Sequence, residues 1–92
     1  MIRSFRHRGL KRLYVRGDRR GLRPDLVARI ERILTVLDVA TTPSALSLPG
    51  NRLHQLKGDR SGLWSVAVNA NWRIVFRFEG EDACDVDLVD YH

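Results

Sequence analysis

The sequence has little cysteine and no long hydrophobic run. Cys84 is the only cysteine among 92 residues, so no disulfide can form within the chain, and no CxxC or Cys/His metal spacing is present. No apolar stretch reaches the length of a signal-peptide core or of a membrane-spanning helix. We therefore expect a cytoplasmic protein with no metal, no cofactor and no membrane association, folded as a single domain over residues 1–92.

Lysine and arginine are absent from residues 79–92, which hold six acidic residues. Residues 1–34 instead hold eleven Lys/Arg and three acids, a net charge of +8, and residues 35–78 add +3. The whole chain carries +5, with a sequence pI near 10.3. A basic body that ends in an acidic segment favours a polyanionic partner such as nucleic acid.

Two helices are predicted in the first half of the chain. The first runs from His7 to about Arg16 and stops at Gly17. The second begins at Pro24, which suits a first helical position, and ends near Ala40 before Thr41-Thr42-Pro43. Its apolar stripe consists of Leu26, Val27, Ile30, Ile33, Leu34 and Leu37. This stripe has the spacing of a helix with one buried face.

Strands are predicted at the start of the chain and throughout its second half. Residues 1–5 can form a short strand, residues 52–57 a second, and residues 63–92 an antiparallel meander of three. Asn and Gly at the connections of the meander suit tight turns. The order β-α-α-β-β-β-β predicts an α+β fold, with two N-terminal helices packed on one face of a small antiparallel sheet.

Alternation along the strands predicts which side chains face the helices. The core face of the middle strand of the meander carries Trp72, Ile74, Phe76 and Phe78, and the opposite face carries Arg73, Val75 and Arg77. On the last strand the same alternation groups Cys84, Val86 and Leu88 on one side, and Asp85 and Asp87 on the other. Burial of Asp90 would be costly, so we expect this strand to end or twist near Val89 and to present Asp90, Tyr91 and His92 at an edge.

The residues with catalytic potential are few. No Gly-rich phosphate loop, GxSxG elbow or carboxylate–histidine metal pattern is present. His54 and His92, with arginines nearby in the pattern, suit RNA cleavage without a metal. That reaction needs a base for the ribose 2′-OH, a cation for the phosphorane oxyanion and an acid for the leaving 5′-oxygen. Histidine and arginine provide these functions near neutral pH.

Each of these residues also has a simpler interpretation. His54 can be an ordinary strand residue, and His92 a frayed terminus. Arg73 can be a solvated side chain, Lys57 a charge beside a turn, and Tyr91 a cap on the core. The residues alone therefore support only a basic α+β domain that binds nucleic acid.

Four blocks of the sequence resemble the HigB-type toxins of bacterial toxin–antitoxin modules, a branch of the RelE-like superfamily. They are MIRSFRHRGLKRLY, LSLPGNRLHQLKGDRSGLWSV, VNANWRIVFRFEG and the terminal DVDLVDYH. The blocks occur in the same order as in the family and together run nearly end to end.

The resemblance implies an endoribonuclease that cuts mRNA in the decoding site of the 30S ribosomal subunit, close to ribosomal RNA. It also implies a helix-turn-helix antitoxin of the HigA type that neutralises the toxin. The family's active-site residues would fall on His54, Asp90, Tyr91 and His92, with Arg73 stabilising the phosphate. Lys57 would be a supporting cation. The division of acid and base between the two histidines stays open.

Two other functions remain possible on the same fold. Relatives of this fold include toxins that poison DNA gyrase, which bind a protein and lack an RNA-cleaving set. A basic domain that binds nucleic acid without catalysis is the second alternative. A DNA-damage response would indicate the first, and salt-sensitive binding without product formation the second.

Overall fold

The fold consists of two helices and one four-stranded antiparallel sheet, which confirms the predicted α+β class. A computed structural model describes residues 1–60 and 62–90. The helices are α1 (Arg8–Arg16) and α2 (Pro24–Val39), and the strands are β1 (His54–Gln55), β2 (Trp64–Ala67), β3 (Trp72–Glu79) and β4 (Asp82–Asp90). The strands lie in the order β1-β2-β3-β4, so each one pairs with its neighbour along the chain. Short 3₁₀ turns at Pro43–Leu46 and Gly58–Arg60 precede and follow β1.

The helix boundaries agree with the predicted ones because the capping residues act as expected. His7 caps α1 by accepting a hydrogen bond from the Leu10 N–H at its Nδ1 (3.2 Å). Gly17 ends α1 with a left-handed φ of 67° that glycine adopts without strain. Pro24 begins α2, and Ala40 follows its last residue. No helix in the described residues is long and apolar enough to cross a membrane.

The hydrophobic core lies between the helices and one face of the sheet. Ile74 and Phe76 of β3 have no exposed surface, and Trp72 and Phe78 are half-buried against the same cluster. The predicted stripe of α2 is buried there as well. Because both helices contact β4, they cover the same side of the sheet. The predicted core face of β3 is therefore confirmed.

A β-bulge in β4 corrects one predicted side-chain direction. The pairing changes register between Val75 and Arg77 of β3, and Asp85 lies opposite this change with a φ of 53°. The extra residue moves Cys84 to the face away from the helices, opposite Arg77, while Val86 remains in the core. The predicted grouping of Cys84 with Val86 and Leu88 was wrong, since simple alternation cannot include a bulge. Cys84 is nevertheless buried.

The N-terminal segment pairs with β4 but does not form the predicted strand. Ile2 and Phe5 make only two isolated bridges, with Ala83 and Val86, and both are parallel. The bulge at Asp85 separates the two bridges, so no continuous ladder can form. There the Asp85 N–H donates to the Ser4 hydroxyl (2.8 Å).

The strand predicted over residues 52–57 is reduced to β1, His54–Gln55. Arg52 has a φ of 49°, which interrupts the extended backbone before β1, and Gly58 has a φ of 69° after it. Leu56 still donates its N–H to the Leu63 carbonyl (2.9 Å). The result is a short edge strand between two fixed bends.

One carboxylate joins three elements on the helix side of the fold. Asp38 of α2 accepts hydrogen bonds from the Tyr14 hydroxyl (2.6 Å) on α1 and from the Ile2 N–H (3.0 Å). The hydrogen bond from Tyr14, followed by that from Ile2, lowers the pKa of Asp38 below its usual 3.8. Asp38 therefore ties the N-terminal segment to both helices in its ionised form.

We predict that Asp38→Ala lowers the free energy of unfolding by about 1 to 2 kcal/mol at neutral pH, because two hydrogen bonds to a carboxylate are lost. Since the folded-state pKa of Asp38 is lowered, its contribution is present above the unfolded value of 3.8 and disappears as the pH falls through the folded value. Urea unfolding at neutral pH and in acidic steps measures both effects.

Tyr14→Phe is the control for this measurement, because it removes one of the two hydrogen bonds and leaves the carboxylate. It should lose less stability than Asp38→Ala. Equal stability of Asp38→Ala and the natural protein at neutral pH would contradict the proposed contribution.

Candidate active site

A row of four side chains crosses the sheet on the face away from the helices. The pairing register aligns His54 of β1 with Ser65 of β2, Ser65 with Val75 of β3, and Val75 with Asp87 of β4. Paired residues on adjacent strands share a face. Since Ile74 and Phe76 point to the helices, Val75 and the whole row point away from them. We call this side the open face.

The row has a buried centre and polar ends. Ser65 is only 1% exposed and Val75 is also buried, whereas His54 is exposed and Asp87 is half-buried. The centre of the row is therefore closed to solvent, and the imidazole lies at one edge of the sheet. Because this imidazole is exposed, it is accessible to a ligand that lies along the open face.

Arg73 lies on the same face, one row away from His54. It pairs with Ala67 of β2 and Val89 of β4, and it is half-buried. Its Nη1 donates a hydrogen bond to the Ser65 hydroxyl (3.4 Å). Ser65 is thus the strand partner of His54 and the hydrogen-bond partner of Arg73, which brings these two predicted site residues onto neighbouring positions of one surface.

Ser65 was not among the residues that the sequence singled out. A serine between Trp64 and Val66 has no motif around it, and its importance depends on pairing with two other strands. The only available signal was alternation, which places position 65 on the face opposite the core.

The structure does not place every predicted residue in this group. Asp90 pairs with Trp72, so its register position belongs to the helix side, and it is exposed at the last residue of β4. Lys57 is exposed and lies two residues beyond the end of β1, so it is not one of the paired residues of the row. Tyr91 and His92 lie outside the described residues. Strand β4 includes Asp90, one residue beyond the predicted end near Val89.

The second arginine of β3 has a structural environment. Arg77 donates to Asp85 through Nε (2.8 Å) and to Glu79 through Nη1 (2.8 Å). The guanidinium lowers the pKa of Asp85, and the two carboxylates raise the pKa of Arg77. Arg77 thereby stabilises the bulge, whereas Arg73 donates to the neutral hydroxyl of Ser65 on the strand beside His54.

The chemistry available on the open face is proton transfer beside a cation. Within residues 1–60 and 62–90, no group of three His, Cys, Asp or Glu side chains is arranged to hold a metal ion. An exposed imidazole on one strand, beside a guanidinium that donates to a buried hydroxyl on the next, suits a substrate that carries both an ionisable hydroxyl and a phosphate.

Several solved structures have the same fold. YafQ from E. coli strain BL21(DE3) has a TM-score of 0.56 at 11% identity, covering 98% of this chain and 93% of YafQ. The YoeB–YefM complex from Staphylococcus aureus gives 0.58 at 16% identity, over 100% of this chain and 98% of the matched chain. The YoeB/ParE toxin from Agrobacterium tumefaciens gives 0.53 at 21%, over 100% and 99%. At these identities the similarity establishes the fold alone.

Sequence relatives are much closer. Endoribonuclease HigB from Proteus vulgaris is 46% identical over 92 residues, covering the whole of both chains. Toxin HigB-1 from Vibrio cholerae serotype O1 is 32% identical over 80 residues, 85% of this chain and 84% of that protein. The family model for the RelE-like toxin HigB of type II toxin–antitoxin systems matches residues 3–92. The chain therefore belongs to the HigB-like toxin family, and the two-helix fold and RelE-like resemblance expected from its sequence are confirmed.

Proposed function

We propose that this toxin is a metal-independent endoribonuclease that cleaves translated mRNA and thereby stops translation and growth. The observation that carries the proposal is the presence of His54 and Arg73 on one open face, where Ser65 pairs with His54 across the strands and accepts a hydrogen bond from Arg73. A relative that matches the whole chain at 46% identity is named as an endoribonuclease, which supports the same activity here.

The proposed reaction is attack of a ribose 2′-OH on the adjacent phosphate. A histidine takes the 2′-OH proton, the 2′-oxygen forms a bond to phosphorus, and the bond to the 5′-oxygen breaks. A second histidine, as imidazolium, protonates the leaving 5′-oxygen. The products are a 2′,3′-cyclic phosphate and a 5′-OH. His54 and His92 share these two functions. Mutating each histidine in turn can assign which one is the base and which one is the acid.

Arg73 provides charge where the reaction develops it. The pentacovalent intermediate gains negative charge on its non-bridging oxygens, and a fixed guanidinium stabilises that charge more than it stabilises the ground state. Ser65 is a positioning residue in this scheme, since it binds Arg73 and does not reach the substrate from its buried position. Asp90 and Tyr91 orient the terminal imidazole, and Lys57 adds positive charge at the edge.

We further propose that the ribosome presents the message to the toxin. Single-stranded RNA is usually held by exposed aromatic side chains on which bases stack. In the described part of the chain, the indoles of Trp64 and Trp72 pack against the core instead. A site whose described residues offer no stacking platform benefits from a message that the 30S decoding site already holds, and we propose that the toxin acts there, in the cytoplasm.

The partner expected of a type II toxin is its antitoxin. A related fold has been solved as a toxin–antitoxin complex, YoeB–YefM. We propose a helix-turn-helix antitoxin of the HigA type, encoded beside this chain. Co-expression of that neighbouring protein should restore growth and co-purify with the toxin, and failure of both would reject this partner.

The decisive experiment is cleavage of a defined message with and without ribosomes, with the new 5′ ends mapped to the nucleotide. Cuts within translated codons that require ribosomes support the proposal. An SOS response without mRNA cleavage would instead indicate a gyrase-directed toxin. Retention of toxicity after removal of both His54 and the Tyr91-His92 end would indicate a basic binding domain without catalysis.

We predict that His54→Ala lowers the single-turnover cleavage rate about 10²- to 10⁴-fold, because one proton-transfer group is lost. Arg73→Ala should lower it about 10²- to 10³-fold, because the oxyanion loses its cation. Quenched-flow cleavage on saturating programmed ribosomes measures both rates. Gln55→Ala and Arg32→Ala, two exposed residues outside the row, are the matched controls. Rates within threefold of the natural protein for the site variants would reject these roles.

Ser65→Ala tests the positioning of Arg73. We predict a loss of about tenfold in cleavage rate, with a change in the free energy of unfolding of about 1 kcal/mol or less, since one long hydrogen bond is removed. In an Arg73→Ala background the same substitution should have no further effect on the rate. A purely structural role for Ser65 would instead give the same loss in both backgrounds.

A further inference from the structure

A cleft opens beside Arg73, on the side away from His54. It encloses about 270 Å³ and is lined by Arg73, Arg52 and Asn69, with Gly50, Ala67 and Val68 around them. The cleft lies where β2 ends and turns into β3. Arg73 therefore both donates to Ser65 in the row and lines the cleft.

Arg52 is held at this cleft by an anchored neighbour. Asn51, only 3% exposed, accepts a hydrogen bond from Arg29 Nη2 (2.6 Å) and donates one to the Leu46 carbonyl (2.8 Å). Its own carbonyl accepts from the Ala67 N–H (2.7 Å). These bonds fix the segment that enters β1, and Arg52 follows with a φ of 49°.

A positive φ is unfavourable for a long side chain and persists only where the surroundings impose it. Glycine or asparagine would suit this backbone better, yet the position carries an arginine whose side chain is exposed at the cleft. This combination points to a function of the guanidinium rather than to stability.

The charge of the cleft defines what it can bind. Two guanidinium groups line it, and none of the described residues in its lining is acidic. Guanidinium groups match phosphate oxygens in geometry and charge. The cleft is thus suited to an anion, and its position beside Arg73 makes it an extension of the open face.

We propose that this cleft is a second phosphate subsite, in which Arg52 binds the phosphodiester next to the one that is cut. The inference rests on the proposed ribonuclease function. Ser65 lies beside His54, and Ala67 lines the cleft two residues further along β2. Successive side chains on one face of a strand lie about 6.5 Å apart, which is comparable to the spacing of neighbouring phosphates in an extended RNA strand. An RNA backbone with its scissile phosphate near His54 and Arg73 therefore reaches the cleft with the following or preceding phosphate.

The test measures binding without cleavage. Ribosomes are programmed with a message whose attacking 2′-OH is replaced by 2′-O-methyl, and the Kd of the toxin is measured for the natural protein, Arg52→Asn and Arg32→Gln. Asparagine tolerates a positive φ, so Arg52→Asn should fold with an unchanged or higher melting temperature. We expect a loss of about tenfold in affinity for Arg52→Asn, as for one charged hydrogen bond, and less than twofold for Arg32→Gln.

Messages with a single uncharged methylphosphonate linkage then locate the contact. At one linkage beside the scissile phosphate, the natural protein should lose about tenfold in affinity and Arg52→Asn should lose nothing further. Three results would each overturn the subsite. Arg52→Asn and Arg32→Gln could have equal affinities, each methylphosphonate linkage could lower the affinity of Arg52→Asn as much as that of the natural protein, or the natural protein could fail to bind.

Cleavage of the unblocked message by the natural protein is scored separately. If the natural protein cleaves the message but Arg52→Asn shows no loss of affinity, the subsite is rejected and the proposed function stands. If Arg52→Asn loses affinity as expected but the natural protein does not cleave, the subsite is established on a toxin that binds messages without cutting them, and the proposed function is rejected.

Discussion

Burial of Ile74 and Phe76 determines how the site is presented. These two side chains of β3 have no exposed surface, and each contributes about 1.5 to 3 kcal/mol to folding by leaving water. Because side chains alternate along a strand, their burial directs Arg73 to the opposite face. A shift in register by one residue would bury Arg73 and expose Phe76, which is doubly unfavourable. The hydrophobic core thus fixes the direction of the proposed catalytic cation.

The sequence predicted the parts of the fold that depend on periodic burial. Both helices and the core face of β3 follow from regular spacing, and their ends follow from residues such as Gly17 and Pro24 with well-defined backbone preferences. The bulge at Asp85 was not predictable, since aspartate tolerates a positive φ better than most residues but adopts one in only a minority of cases. That one residue misled the assignment of Cys84 and divided the N-terminal strand into two bridges.

Prediction of the site had a similar limit. His54 and Arg73 could be proposed because the sequence resembles a known family, since each of them alone also has a simpler interpretation. Ser65 and Arg52 could not, since the roles proposed for them depend on pairing between strands and on a backbone angle in the segment that Asn51 anchors. Local pattern identifies the reactive group, whereas only the tertiary structure identifies the residues that position it.

The distribution of charge separates the arginines that stabilise the fold from those available to a polyanion. Three of the six acids of the C-terminal segment bind arginines: Asp82 binds Arg3, and both Asp85 and Glu79 bind Arg77. The pKa values of Asp82 and Asp85 are lowered by these arginines. The acidic strand thus holds the N-terminal segment over the outer edge of β4, where an uncovered strand would invite pairing with other chains.

On α1 the opposite situation holds. Among the described residues, its exposed face carries four cations with no ion pair and no acid in its first turn: Arg8, Lys11, Arg12 and Arg16. Exposed ion pairs contribute little to stability, so acidic partners for these four cations would hardly raise the free energy of unfolding. Leaving them unpaired instead maintains a field that attracts phosphate. The exposed cations of α1 therefore lie where folding does not use them, on a surface whose field would attract a polyanion.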